Sequence, residues 1–145
     1  MLQFSSAKEG TNMASRNKIQ ELSVFALYQY LFYYSYEDRP SLKEIIESVF
    51  DCPAKECDEF AKNLIKLAIK NASSSIETIS SFLKDWTFER LNYLEQAILL
   101  SAYTQFKYMD QPKTIAINVA VDLAKKYCDD NSYKFINGVL DNCLC

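Results

Sequence analysis

The strongest constraint on what this sequence can fold into is its shortage of turn-forming residues. The 145 residues include two glycines and three prolines, against about 17 of these two types in an average protein of this length. β-Sandwiches, β-barrels and glycine-rich phosphate loops all depend on turns that these residues form. Hydrophobic residues still make up 49% of the chain, which is enough to fill a core. The composition therefore favours one domain built of helices.

The spacing of apolar residues predicts an all-α fold of about seven helices with no strand. The predicted helices cover residues 16–34, 42–50, 53–71, 76–83, 86–108, 114–127 and 132–144. A capping box precedes the second helix, Pro53 is predicted as the first residue of the third, and the serines at 73–75 as the cap of the fourth. Residues 1–14 are polar and are interpreted as a flexible tail, which leaves residues 15–145 as the domain.

Three features of these helices stand out from the pattern. The first helix has six Tyr or Phe residues between positions 25 and 34, and we interpret it as a buried central helix rather than a surface on which bases stack. Gly138 lies inside the last helix, where it predicts close approach of another backbone. Asn118 lies in an apolar stretch and is interpreted as a hydrogen-bonded packing residue.

The chain has no histidine, which removes much of the chemistry of enzymes and metal sites. Neither a Ser–His nor a Cys–His pair is possible, and no imidazole can bind a metal. The cysteines follow no common zinc spacing; they are Cys52, Cys57, Cys128, Cys143 and Cys145. We therefore expect no catalytic residue, no metal and no cofactor, and interpret the thiols as reduced in a cytoplasmic protein. No stretch has the pattern of a targeting or membrane-spanning segment.

The net charge of −3, with a pI near 5.0, argues against a nucleic-acid partner when it is taken as a total. The charge is spread without a basic block, at 0, −2 and −1 for residues 1–39, 40–85 and 86–145. Any binding of RNA by this chain must therefore depend on a few local cations and on stacking, and its dependence on salt should be shallow.

Five strings in the second half resemble the NusB family in their order and spacing. They are WTFERL at 86–91, EQAIL at 95–99, DQP at 110–112, AINVAVDLAK at 116–125 and KFINGVLD at 134–141. The first helix adds EL at 21–22 and ALYQ at 26–29, so the resemblance covers about residues 15–144.

The resemblance implies a transcription antitermination factor without enzymatic activity. NusB-like proteins bind the single-stranded boxA element of ribosomal RNA leader transcripts in a heterodimer with the small-subunit ribosomal protein NusE. The pair joins a complex on RNA polymerase that resists termination and assists maturation of ribosomal RNA. Both monomers and homodimers occur in the family, and the resemblance does not choose between them.

The resemblance also implies which residues bind the partners. Those expected to contact RNA lie at the start of the first helix and before the last: Arg16, Asn17, Lys18, Gln20, Asn131, Ser132, Tyr133, Lys134 and Phe135. Glu95 stands where the family has an acidic residue that faces NusE. Residues 16–20 carry two cations where the family often has three or four, and Asn131 replaces an acidic residue next to the RNA. Asp129 and Asp130 oppose binding by their charge.

Two other functions remain open from the sequence. The first is a helical protein-interaction module with weak or lost RNA binding, because the basic first helix is diluted. The second is a truncated N-terminal domain of a ribosomal RNA cytosine methyltransferase, although the Gly-rich cofactor site and catalytic cysteines of such an enzyme have no counterpart here. RNA binding requires that the two predicted RNA-facing segments converge on one surface.

Overall fold

The computed structural model describes residues 15–145, and these residues form seven α-helices with no strand, which confirms the predicted all-α class. The helices are α1 (Arg16–Tyr33), α2 (Leu42–Phe50), α3 (Glu59–Lys70), α4 (Ala72–Ser80), α5 (Tyr93–Tyr108), α6 (Lys113–Tyr127) and α7 (Ser132–Cys143). Short 3-10 turns over Ala54–Glu56 and Phe88–Arg90 precede α3 and α5. The tail predicted for residues 1–14 lies outside the described residues. Within residues 15–145, no helix has the length and apolar character needed to cross a membrane.

α1 and α5 form the centre of the bundle. α1 packs against α2, α3 and α5, and α5 also packs against α3, α4, α6 and α7. Every residue from 19 to 27 in α1 and from 96 to 105 in α5 is buried. A helix covered on all sides has no polar stripe, so the prediction of a central first helix is correct for this part of α1. The aromatic residues from 28 to 34 are half-buried or exposed.

A buried pair of amides joins the two central helices. The Gln20 Nε2 donates to Oε1 of Gln105 at 2.6 Å, and the Gln105 Nε2 donates to Oγ of Ser101 at 3.0 Å. Both glutamines are 2% exposed. The prediction that Gln20 contacts RNA is therefore wrong for its side chain, because α1 is covered by other helices on every side at that level.

Three predicted helix starts are wrong, and in two of them a side-chain cap sets a later start. Pro53 precedes the 3-10 turn, and α3 begins later, where the Asp58 Oδ1 accepts from the backbone N–H of Ala61 at 3.0 Å. The serines at 73–75 lie inside α4, which follows α3 almost directly. The helix predicted from residue 86 begins at Tyr93, after a capping box of Asn92 and Glu95.

Gly138 and Asn118 do not have the packing roles that the sequence predicts for them. Both residues are exposed on their helices. A Cβ built on Gly138 meets no atom within 4 Å. No neighbouring backbone therefore requires glycine at this position, and its effect is the entropic cost of glycine inside a helix.

Gly138→Ala is expected to raise the free energy of unfolding by about 1 kcal/mol, because alanine loses less backbone entropy in a helix and fits the open space. Urea unfolding followed by circular dichroism measures the change. Asn118→Ala, at another exposed helical position, should give a smaller gain of about 0.5 kcal/mol. A loss of stability in Gly138→Ala would contradict the open surroundings of this residue.

Candidate nucleic-acid interface

The buried carboxylate of Glu21 brings the start of α1 next to the end of α6. Its Oε2 accepts hydrogen bonds from the Lys18 Nζ at 3.3 Å and from the Tyr127 hydroxyl at 3.1 Å. Its Oε1 accepts from the Lys126 Nζ at 3.0 Å, although Lys126 is 105 residues further along the chain. The Phe25 and Tyr127 rings add an edge-to-face contact with centroids 5.1 Å apart. Lys18 is thus placed close to the segment that leads into α7.

The electrostatic interactions of this cluster favour the charged forms of Glu21 and Lys126. Burial raises the pKa of Glu21, but the hydrogen bonds from Lys126, Tyr127 and Lys18 outweigh it and hold that pKa below its ordinary value. The hydrogen bond to Glu21 raises the pKa of Lys126. The side chains of Lys18 and Lys126 keep 36% and 60% of their exposure, against 8% for Glu21. One buried anion therefore holds two cations at the surface.

The end of α6 and the start of α7 place two further lysines near one aromatic ring. The Lys125 and Lys134 Nζ atoms lie 5.0 Å and 6.0 Å from the centroid of the Tyr133 ring. The Asp129 Oδ1 accepts from the backbone N–H groups of Asn131 and Ser132, each at 3.0 Å. Part of the negative charge of Asp129 is therefore used to cap α7.

Ser132 and Glu95 contact each other within the chain. Ser132 is 4% exposed, and its Oγ donates a short hydrogen bond to Oε2 of Glu95. The Glu95 Oε1 also accepts from the backbone N–H of Asn92 at 3.3 Å, as part of the cap of α5. Glu95 thus ties the N-termini of α5 and α7 together, and the described structure shows its carboxylate directed at Ser132.

The other residues that are predicted to contact RNA lie on either side of these four lysines. The Arg16 guanidinium stacks on the Phe60 ring of α3, 3.7 Å from its centroid, while Asn17 is exposed beside it. Asn131 is exposed and Phe135 half-buried, and both line a groove at the start of α7. The first turn of α1 therefore directs Arg16 towards α3 and Lys18 towards α6.

Sequence reasoning missed four residues of this surface, namely Glu21, Lys125, Lys126 and Tyr127. The signal available for three of them is two adjacent lysines and a tyrosine directly before the predicted RNA-facing segment, in the last turn of α6. The role of Glu21 has no local signal, since its partners lie at the other end of the chain. We call the exposed part of this site the lysine–aromatic surface; it comprises Lys18, Lys125, Lys126, Tyr133 and Lys134.

The lysine–aromatic surface has the chemistry that binds single-stranded nucleic acid. Ammonium groups pair with phosphates, and an aromatic ring offers its face to an unpaired base. Among residues 15–145, no group of three or more potential side-chain metal ligands is found.

Comparisons with known proteins identify the family to which the chain is related. A model described as the NusB family matches residues 17–144. A protein of Nitratiruptor sp. called transcription antitermination protein NusB is 35% identical over 131 residues, which is 89% of this chain and 91% of that protein. A protein of the same name from Macrococcus caseolyticus is 41% identical over 87 residues, or 60% of this chain and 67% of that protein. The chain spans only 41% and 65% of two further relatives.

Solved structures show the same fold. Thermotoga maritima NusB superposes with a TM-score of 0.77 at 27% identity, covering 90% of this chain and 91% of that one. The crystal structure of antitermination factors NusB and NusE in complex with dsRNA gives a TM-score of 0.75 at 23% identity, covering 89% and 95%. At that identity, the second similarity is one of fold alone.

Glu21→Gln is expected to lower the free energy of unfolding by about 1–2 kcal/mol at pH 7, because it removes a charged acceptor of three hydrogen bonds. Since the fold lowers the pKa of Glu21, its stabilisation is complete above the ordinary carboxyl pKa of about 4.3 and is lost as the pH falls through the folded-state pKa. Urea unfolding between pH 7 and pH 3 should therefore show the two proteins converging in acid.

Glu77→Gln serves as the control, because Glu77 is exposed on α4 and its replacement should change stability by less than about 0.5 kcal/mol. A difference between wild type and Glu21→Gln that stays constant down to pH 3 would show that the charge of Glu21 does not stabilise the fold.

Proposed function

The chain belongs to the NusB family, and from that premise we propose that it is a transcription antitermination factor. It binds boxA-type single-stranded RNA of ribosomal RNA leader transcripts together with the ribosomal protein NusE. On RNA polymerase, the complex supports processive transcription and maturation of ribosomal RNA. The observation that carries the proposal is the Glu21 cluster, which places Lys18 beside the segment leading into α7.

The small number of cations determines how the RNA is held. The four lysines of the lysine–aromatic surface can each neutralise one phosphate, and the slope of log K against log salt is about −0.7 per phosphate for a single strand. We therefore expect a slope of about −2 to −3, with stacking and the partner supplying the remaining affinity. NusE is the proposed source of additional positive charge, and a protein of the same fold has been crystallised with NusE and dsRNA.

The protein acts by binding, without catalysis or a cofactor, in the cytoplasm where ribosomal RNA is transcribed. The pKa values of two thiols support the proposal that the protein does not use cysteine catalysis. Burial raises the pKa of Cys57 to about 12 and that of Cys143 to about 11. Thiols with such pKa values are almost entirely protonated at neutral pH, so they are poor nucleophiles.

Lys125→Glu combined with Lys134→Glu is expected to weaken binding of a boxA RNA by about 10- to 100-fold at 0.1 M salt, since two phosphate contacts become repulsive. The salt slope should become shallower by about 1.4. Fluorescence anisotropy of a labelled RNA at several salt concentrations measures both quantities. Lys126 is left intact, because a carboxylate there would lie against Glu21 and disturb the fold.

Lys43→Glu combined with Lys55→Glu is the matched control, because these lysines are exposed on α2 and on the first 3-10 turn. The control should bind RNA with no more than the small loss that the net charge causes. Equal losses in both double variants would contradict a local site, and equal affinity for boxA and scrambled RNA would contradict sequence recognition.

Addition of NusE is expected to tighten binding of boxA RNA at least about tenfold, which corresponds to a coupling free energy of about 1.4 kcal/mol. By reciprocity, boxA RNA should tighten binding of NusE by the same factor. Titrations in both orders, with single-stranded and duplex RNA, test this. Binding of NusE with no affinity for either RNA would indicate a protein-interaction module and overturn the RNA-binding function.

A further inference from the structure

We propose that a groove beside the lysine–aromatic surface binds one unpaired nucleobase of the RNA, stacked on Trp86. The inference rests on the RNA-binding function proposed above and names a contact that this function leaves unassigned. The groove has a volume of about 410 Å³ and lies between the segment 86–95 and the segment 129–135. The residues that matter to the argument are Trp86, Arg90, Asn131 and Phe135.

Trp86 is exposed on an irregular segment between a left-handed residue and a 3-10 turn. Its ring is 50% exposed, although tryptophan gains much from burial. Asp85 before it has a left-handed φ of 64°, and the 3-10 turn after it is anchored by Phe88 and Leu91, which are 2% and 8% exposed. The exposed ring is therefore held between buried anchors and a sharp turn.

The walls of the groove carry the side chains that bind a planar base. The Arg90 guanidinium lies 5.5 Å from the centroid of the Trp86 ring, so a cation and an aromatic face are offered together. Phe135 lies on the α7 wall, and the exposed amide of Asn131 can donate to or accept from a base edge.

The acidic groups of the groove favour a neutral base over a phosphate. Glu95 and Asp129 also line it, and each is bound within the chain, Glu95 to Ser132 and Asp129 to the backbone of α7. Two carboxylates repel the phosphate backbone but not an uncharged base. Phosphates are thereby directed to the lysines, while a base enters the groove.

The groove and the lysine–aromatic surface share the first turn of α7. Tyr133 and Lys134 belong to the surface, and Phe135 directly after them lines the groove. A strand whose phosphates contact Lys134 can therefore turn an adjacent base towards Trp86.

Intrinsic fluorescence tests this directly, because Trp86 is the single tryptophan of the chain. Titration with boxA RNA should quench the emission with the same Kd as fluorescence anisotropy of the labelled RNA. A series of RNAs with one abasic position each should identify one position at which quenching is lost while binding persists.

Trp86→Ala should weaken RNA binding about tenfold without changing the salt slope, since no phosphate contact is removed. Trp86→Phe should retain most of the affinity, because it keeps an aromatic face. Tyr108→Ala is the matched control, as Tyr108 is an exposed aromatic residue at the opposite end of α5, about 24 Å from its start. The control should bind like wild type.

The outcomes separate this inference from the proposed function. If RNA binds with the expected dependence on Lys125 and Lys134, but Trp86 emission and the affinity of Trp86→Ala are unchanged, the base subsite is wrong and the function stands. If NusE alone quenches the emission and RNA adds nothing, the groove is a protein contact and the inference is overturned. If no RNA binds at all, the proposed function fails, and the subsite fails with it.

Discussion

The candidate site depends on one buried carboxylate. Glu21 lies on the central helix, and its two oxygens bind Lys18, Lys126 and Tyr127, which come from opposite ends of the domain. Removing a charge from water is costly unless hydrogen bonds replace the lost hydration, and here three donors do so. The same contacts orient the lysines, so stability and the shape of the proposed RNA-binding surface have a common origin.

The lysines that Glu21 orients explain how an acidic chain can bind RNA, as proposed, although RNA is itself an acidic polymer. A net charge of −3 describes the whole molecule, whereas an RNA strand experiences the charges within about 10 Å, the Debye length at 0.1 M salt. Asp129 and Glu95 line the neighbouring groove, where their oxygens are hydrogen-bonded within the chain. The lysines at the ends of α1 and α6 keep their ammonium groups at the surface. The local balance therefore differs from the total.

The sequence predicted the fold class and the number of helices, because apolar periodicity and scarce glycine are properties of short windows. The family resemblance also named Lys18 and Lys134, and their contact with RNA stays a prediction. The prediction for the Gln20 side chain failed, because burial of a polar residue depends on which helix packs over it. Sequence reasoning also failed at the start of α5, where the Asn92 capping box outweighs the helical pattern of residues 86–91. It missed Glu21 because contacts across 105 residues leave no trace in local spacing.

The long separation between partners has a consequence for how the protein is made. Of the described helices, α1 leaves the ribosome first. The amide partner of Gln20 on α5 is 85 residues further along, and the lysine partner of Glu21 on α6 is 105 residues further. At a translation rate of about 5–20 residues per second, the apolar residues of α1 stay exposed for about 5–20 s until the helices that cover them have been synthesised. The nascent chain therefore exposes the core-facing residues of α1 to chaperones before the helices that bury them have been synthesised.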